Sequence, residues 1–286
     1  MRARRGPGGG WIAFALALGV LIWNGHRLVA EVTSTAPVPA STAWPEAGAR
    51  LHPGAPTFPP GFGVKRVTLD AGHGAENNSG NTSCLCVAEQ DFTRAAALEM
   101  AARLEATGHF EVQLTRVGAE LVPYADRVDD AEVFAADAFV SLHSDVRGSL
   151  AHWSPEVGET CPIAGGGVGF SVLYSDEGDD AGLVDARHRL ARALAGELER
   201  AGFAAYDGGY ELNYDGDATR GVYVDRHAEG QRIFVLRKPS MPAVLLETHN
   251  ALDPREAERW ADPATWDAAA DALADALVST LGAAQP

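Results

Sequence analysis

The chain is poor in cysteine and in basic residues, and it has no apolar run of membrane-spanning length near its start. Cys84, Cys86 and Cys161 are the only cysteines among 286 residues, which leaves room for a single disulfide. None of them stands directly after the N-terminal apolar run, which argues against a lipoprotein anchor. That run, Trp11 to Trp23, is 13 residues long, whereas a membrane-crossing helix needs about 20. Only 23 Lys and Arg stand against 39 Asp and Glu. Four of these cations, Arg2, Arg4, Arg5 and Arg27, precede residue 31, so the remainder carries 19 basic residues against 39 acidic ones, a formal charge of −20. Nucleic-acid binding depends on neutralising phosphates with Lys and Arg, so nucleic acid is excluded as a partner, and so are anionic membrane surfaces. No internal repeat and no second domain is visible.

The N-terminus carries the pattern of an export signal. A positive stretch with Arg2, Arg4 and Arg5 precedes the short apolar run, the order of a signal peptide. Leu28-Val29-Ala30 is a poor cleavage site because Leu28 is not small, so residues 1–30 are expected to be a signal peptide or an uncleaved N-terminal anchor. Either way the body is expected in the periplasm or cell envelope, or secreted, and any membrane contact is through that anchor alone. Residues 31–63 hold Pro37, Pro39, Pro45, Pro53, Pro56, Pro59 and Pro60 among Ala, Ser and Thr, the composition of an extended spacer.

From residue 64 to 284 strand-like and helix-like patterns alternate, and the 46% hydrophobic content is enough for a substantial core. Strands are expected at Arg66–Asp70, Val112–Thr115, Ala138–Leu142, Val168–Tyr174, Arg232–Leu236 and Ala243–Glu247. Helices are expected at Asp91–Thr107, Tyr124–Ala135, Ala181–Ala201 and Thr265–Leu281. Strands separated by helices imply an α/β fold with a mixed, mostly parallel sheet covered on both faces.

Three strands end on residues with metal chemistry. His73 follows Val67–Asp70, His143 closes Ala138–Leu142, and Glu247 closes Ala243–Leu246. The carboxyl ends of strands are where ligands collect in such sheets. A hydrolytic zinc takes three His, Asp or Glu ligands and leaves a fourth position open. Glu89 is the expected third ligand, because it follows a Gly/Asn/Ser-rich loop (74–83) and precedes the helix at 91, whose amino terminus favours a carboxylate. Glu247 is then the expected general base. Each residue also has a plainer role: an ordinary capping histidine, or an ion-pair partner of Arg237 or Arg220 for Glu247. His249 is a rival ligand, and Asp70 and Asp145 are candidates to orient the imidazoles.

These residues lie in five ordered blocks: Asp-Ala-Gly-His-Gly (70–74), Glu-Gln-Asp-Phe (89–92), Asp126–Val128, Phe-Val-Ser-Leu-His-Ser-Asp (139–145) and the stretch 235–247 ending Ala-Val-Leu-Leu-Glu. Together they resemble the zinc-dependent N-acetylmuramoyl-L-alanine amidases that include the bacterial cell-separation amidases. The resemblance covers roughly residues 64–283. It implies a phosphorylase/hydrolase-like fold, zinc on His73, Glu89 and His143, and Glu247 as acid/base. It also implies peptidoglycan as substrate, cleaved between the muramic acid lactyl group and L-alanine. An envelope activator protein is a further expected partner.

Two departures from that pattern bear on substrate preference. The loop after Gly74 reads Ala-Glu-Asn-Asn-Ser-Gly-Asn-Thr-Ser-Cys-Leu-Cys, and Glu247 is followed by Thr-His-Asn. Segments 146–167 and 206–231 look like insertions, and the second is expected to form a small core around Tyr206, Tyr210, Tyr214 and Tyr223. In an oxidising compartment Cys161 is expected to bridge to Cys84 or Cys86. A zinc exopeptidase and a catalytically silent wall-binding or regulatory domain are the competing functional classes.

Overall fold

The computed structural model describes residues 51, 52, 54–154, 158–210 and 213–282. Residues 1–30 and the spacer up to residue 50 lie outside the described residues. Among the described residues no helix is long and apolar enough to cross a membrane.

In chain order the elements are β1 (Lys65–Ala71), α1 (Glu89–Ala106), β2 (Phe110–Leu114), α2 (Tyr124–Phe134), β3 (Ala138–Asp145), β4 (Ala151–Trp153), β5 (Cys161–Ile163), β6 (Ser171–Tyr174), α3 (Ala181–Arg200), β7 (Tyr214–Gly216), β8 (Val222–Asp225), α4 (Phe234–Arg237), β9 (Ala243–Asn250), α5 (Pro254–Trp260) and α6 (Pro263–Leu281). Seven strands form one sheet in the order β2-β1-β3-β9-β6-β8-β7. β2, β1, β3 and β9 are mutually parallel, β6 runs antiparallel to β9, β8 runs parallel to β6, and β7 closes the edge antiparallel to β8. The fold is therefore α/β with a mixed, mostly parallel sheet.

The period-two alternation of a strand divides the core. Val140, Leu142, Val244 and Leu246 point into the large cluster shared with α1, α3 and α6. Phe139 and Ala243 point the other way, to Val128 and Ala131 of α2 and Val235 of α4. Helix starts are written locally. Asp180 caps α3 by accepting from the Gly182 and Leu183 amides at 2.9 and 3.1 Å. Asp253-Pro254 and Asp262-Pro263 open α5 and α6 with an Asp cap followed by Pro, whose missing N–H costs nothing at a first turn.

The expected strand Arg232–Leu236 is not one. Its apolar part enters the short helix α4, with Val235 and Leu236 buried. A four-residue apolar run, Ile233–Leu236, reads the same in a strand and in a buried helix turn, and both neighbours of β9 are already β3 and β6. The segment 206–231 does build its own small core: Tyr206, Tyr210 and Tyr214 pack against Tyr223, Leu173, Leu236 and Leu245. It also supplies β7 and β8, strands that the reading of the sequence did not foresee. Segment 146–167 contains the β4–β5 hairpin. At the end of the spacer Phe62 is buried, and Leu51 and Phe58 pack against the same core; Phe58 stacks on His109 with centroids 3.9 Å apart.

Of the two pairings considered for Cys161, the disulfide is Cys86–Cys161, and Cys84 is a buried free thiol. The bond ties β5 to the loop that leads into α1. Trp153 reinforces it by donating its indole N–H to the Cys84 carbonyl at 2.9 Å.

Candidate functional site

The carboxyl end of the sheet brings His73, Glu89 and His143 together. One ligand atom from each lies within 4.8 Å of the others. His73 Nε2 is 2.9 Å from Glu89 Oε2 and 3.0 Å from His143 Nδ1, and His143 Nδ1 is 3.1 Å from Glu89 Oε1.

Each side chain is held from behind. His73 sits two residues past β1 in the left-handed region, at φ 58°, a backbone state that a non-glycine residue keeps only when its surroundings impose it. The constraint is visible: buried Arg127 donates to the carbonyls of Ala71, His73 and Val122 and pairs with Asp70 at 2.9 Å. Arg116 donates to the carbonyls of Ala71, Gly72 and Gln90. His73 Nδ1 lies 2.7 Å from Asn78 Oδ1. That oxygen only accepts, because Asn78 uses its amide N–H on the Tyr124 hydroxyl at 2.7 Å. The His73 proton therefore belongs on Nδ1, which leaves the Nε2 lone pair facing Glu89 and His143.

Glu89 opens α1. Its Oε2 accepts from the Asn81 backbone and side-chain amides at 3.0 and 2.7 Å, and its Oε1 from the Ser144 amide at 2.9 Å. Burial alone raises the carboxyl pKa. When the two rings are protonated, hydrogen bonds from His143 and His73 and their charge together outweigh that and hold it well below the usual range. For His73 burial works against the charged form, but the Glu89 hydrogen bond and charge and the Asn78 contact raise its pKa overall.

Two glycines make the close approach feasible. A Cβ on Gly72 would stand 2.4 Å from His143 Nε2. One on Gly80, at φ +77°, would stand 2.5 Å from Glu89 Oε2 and 2.7 Å from His73 Cδ2.

Glu247 lies on β9 directly opposite His143 of β3. Its Oε2 is shut off from solvent and has no hydrogen-bond partner. Burial, then Asp145, then Glu89 push its pKa well above the ordinary carboxylate range, against the pull of Arg147. Neither cation considered for Glu247 reaches it: Arg237 faces Glu177, and Arg220 faces Glu199 and Asp207. His73, Glu89, His143 and Glu247 share a cleft of about 540 Å³ that is also lined by Tyr124, Ile233 and Phe234.

Three expectations need correction. His249 does not join the cluster. β9 continues to Asn250, but its register against β3 shifts after His143, so the regular alternation that would align residues 247 and 249 is broken. The His249 ring is buried against Trp260 and Phe92 and bonds Thr248 Oγ1 at 2.8 Å. Asp70 does not orient an imidazole; it receives Thr115 at 2.7 Å, Arg127 and Ser141. Asp145 is committed to Arg147 and Tyr210, each at 2.6 Å. The orienting role falls to Asn78, and the grip on Glu89 to Asn81. The one trace of both in the sequence was the Asn-rich composition of the 74–83 loop.

A metal ion fits this group. Three side chains of the residue types zinc takes converge through lone pairs, one imidazole has its tautomer fixed from behind, and an unpartnered carboxyl stands alongside.

Comparison with known proteins places the chain among amidases. The profile of the N-acetylmuramoyl-L-alanine amidase family matches residues 67–279. The N-acetylmuramoyl-L-alanine amidase AmiA of Salmonella typhimurium is 28% identical over 240 residues, spanning 76% of this chain and 76% of that protein. Among solved structures, the amidase AmiC2 of Nostoc punctiforme superposes with a TM-score of 0.54 at 26% identity, over 76% of this chain and 97% of that one. The amidase Ami1 of Mycobacterium abscessus shares the fold, with a TM-score of 0.60 at 22% identity over 77% and 99% of the two chains.

Proposed function

The chain belongs to the N-acetylmuramoyl-L-alanine amidase family, and from that premise we propose how its residues divide the work of hydrolysing peptidoglycan. His73, Glu89 and His143 hold one zinc ion, and Glu247 is the acid/base for cleavage of the amide between the lactyl group of N-acetylmuramic acid and L-alanine. The observation that carries this reading is the meeting of three ligand atoms within 4.8 Å beside Glu247, whose buried Oε2 has no hydrogen-bond partner.

Zinc bound there supplies Lewis acidity, polarising a carbonyl oxygen and easing loss of a proton from water. The chain supplies the rest. Glu247 accepts a proton from the attacking water and then delivers it to the alanine nitrogen as the C–N bond breaks. The products are a free lactyl carboxylate and a peptide with an N-terminal alanine. A carboxyl with a raised pKa suits this exchange, since its carboxylate is a stronger base than that of an exposed glutamate and keeps the accepted proton until the nitrogen takes it. The apolar side chains of Ile233, Phe234, Val235 and Leu245 limit water around the reacting amide. Export through residues 1–30, a working place in the periplasm or cell envelope, and control by an envelope protein belong to the same proposal and rest on the sequence.

The test is digestion of purified peptidoglycan with the zinc-loaded protein, followed by identification of new termini. New N-terminal alanine together with glycan stripped of peptide supports the assignment. New termini only within the stem peptide point instead to a peptidase and overturn it.

A further inference from the structure

Arg147 occupies an unusual place next to Glu247. It is buried, and all five of its guanidinium N–H groups are engaged. Nε donates to Asp145 at 2.6 Å. Nη1 donates to the carbonyls of Gly167 and Gly169 at 3.0 and 2.6 Å, and Nη2 to the hydroxyls of Ser171 and Tyr210 at 2.9 and 3.1 Å. The ring of Tyr206 covers it, with Cζ 4.0 Å from the centroid.

The topology explains why this matters to the site. Asp145 belongs to β3 and Ser171 to β6, and β9 runs between them. Glu247 of β9 is in register with His143 on one side and Ser171 on the other. The guanidinium thus bridges from β3 to β6 across the strand that bears Glu247. The Glu247 carboxyl feels two repelling carboxylates, Asp145 and Glu89, and one attracting cation, Arg147. With every N–H already committed, Arg147 acts on it as a fixed charge rather than as a hydrogen-bond donor.

We propose that Arg147 is a positioning residue for Glu247, a caged cation that keeps the carboxyl aimed into the cleft between two like charges. The inference rests on the assignment of Glu247 as acid/base. The cage comes partly from the 206–231 segment, which contributes Tyr206 and Tyr210, so that segment supports the reaction without touching substrate. Tyr210 is the link, donating its hydroxyl proton to Asp145 at 2.6 Å while receiving Arg147.

The experiment compares wild type, Arg147→Met, Arg147→Lys, Tyr210→Phe and Glu247→Ala on a soluble muramoyl peptide, with zinc content and unfolding midpoint measured for each. Arg147→Met is expected to lower kcat about 100-fold at a KM within three-fold of wild type and with full zinc content. Arg147→Lys is expected to recover part of that loss, because it returns the charge without the cage. Tyr210→Phe removes one hydroxyl and is expected to lower kcat about five-fold at unchanged KM, which decides the matter if the Met variant does not fold. Wild-type kcat in a folded, zinc-loaded Arg147→Met protein, or in Tyr210→Phe where the former cannot be made, overturns the role of Arg147. A rise in KM without loss of kcat overturns it as well. An active Glu247→Ala protein removes the assignment of Glu247 itself, and the role of Arg147 with it; an inactive one beside a fully active Arg147→Met removes only the latter.

Discussion

His143 and Glu247 face one another across the ladder between β3 and β9, an expected ligand on one strand and the expected acid/base on the next. Their spacing is set by backbone pairing rather than by any loop. Replacing Glu247 by Gln keeps shape and volume and removes the titratable oxygen. Turnover should fall about 10²- to 10⁴-fold, the usual share of general acid–base catalysis, with zinc content unchanged by metal analysis. Loss of zinc in parallel with activity would show Glu247 to be a ligand instead.

Zinc removal should abolish activity and lower the unfolding midpoint, and zinc should restore both, because a ligand that binds only the folded state stabilises it. In His73→Ala, Glu89→Ala and His143→Ala the zinc-dependent rise in midpoint should vanish. A variant that keeps the full rise does not lack a ligand.

Gly80 tests the closeness of the cluster. In Gly80→Ala the new methyl meets Glu89 Oε2 at 2.5 Å at a φ of +77°, so Glu89 must move. Zinc affinity should drop at least about ten-fold, the range seen when support around metal ligands is lost, by chelator competition. Unaltered affinity would mean that the 74–83 loop yields without disturbing the carboxylate.

The Cys86–Cys161 bond closes a separation of 75 residues. Loop-closure entropy assigns such a cross-link about 4 kcal/mol, so Cys86→Ser should lower the midpoint on the order of 10 °C. Cys84, buried and with its thiol pushed up to about 12 by burial, should resist alkylation until the protein unfolds.

His249 and Glu256 make opposite contributions to stability against pH. Burial pushes the His249 imidazole down to about 3. The unfolded state binds its proton first, so the stability it contributes is present above about pH 6.5 and is lost as pH falls towards 3, with a slope of at most about 1.4 kcal/mol per pH unit. Burial raises Glu256 to about 7 although it accepts from the Asn250 and Gly169 amides. Its contribution is present below about pH 4.5 and is lost as pH rises to 7. Denaturant melts of His249→Phe should be flatter than wild type between pH 6 and 4; parallel curves would contradict the burial of a neutral imidazole.

The parallel half of the sheet and the site residues on its strand ends were legible because each strand repeats an apolar pattern and stops on a polar residue at the same edge. His73, His143 and Glu247 stood at such stops, and Glu89 stood at the start of α1. The antiparallel half was harder to read. β7 has three residues and β8 has four, too few for a period to emerge. Arg232–Leu236 carried a strand-like composition into a helical turn. His249 shows the limit of alternation as a guide, since one register shift sends it into the core. Asn78 and Asn81 were hidden for another reason: they act through loop geometry with no repeating spacing. Arg147 was invisible as a support because its partners lie on three separate segments.

The reversal between β9 and β6 gives the segment between β3 and β6 an independence that the rest of the chain lacks. Parallel neighbours must be joined by a crossover along the whole sheet, so length added there disturbs a helix. β6, by contrast, starts at the edge where β3 and β9 finish, and the chain from residue 146 to 170 leaves and returns on the same side. The β4–β5 hairpin within it can be lengthened, shortened or exchanged between relatives without altering a strand register. That hairpin is therefore the replaceable part of the chain, held to the loop before α1 by the Cys86–Cys161 bond and the Trp153 indole.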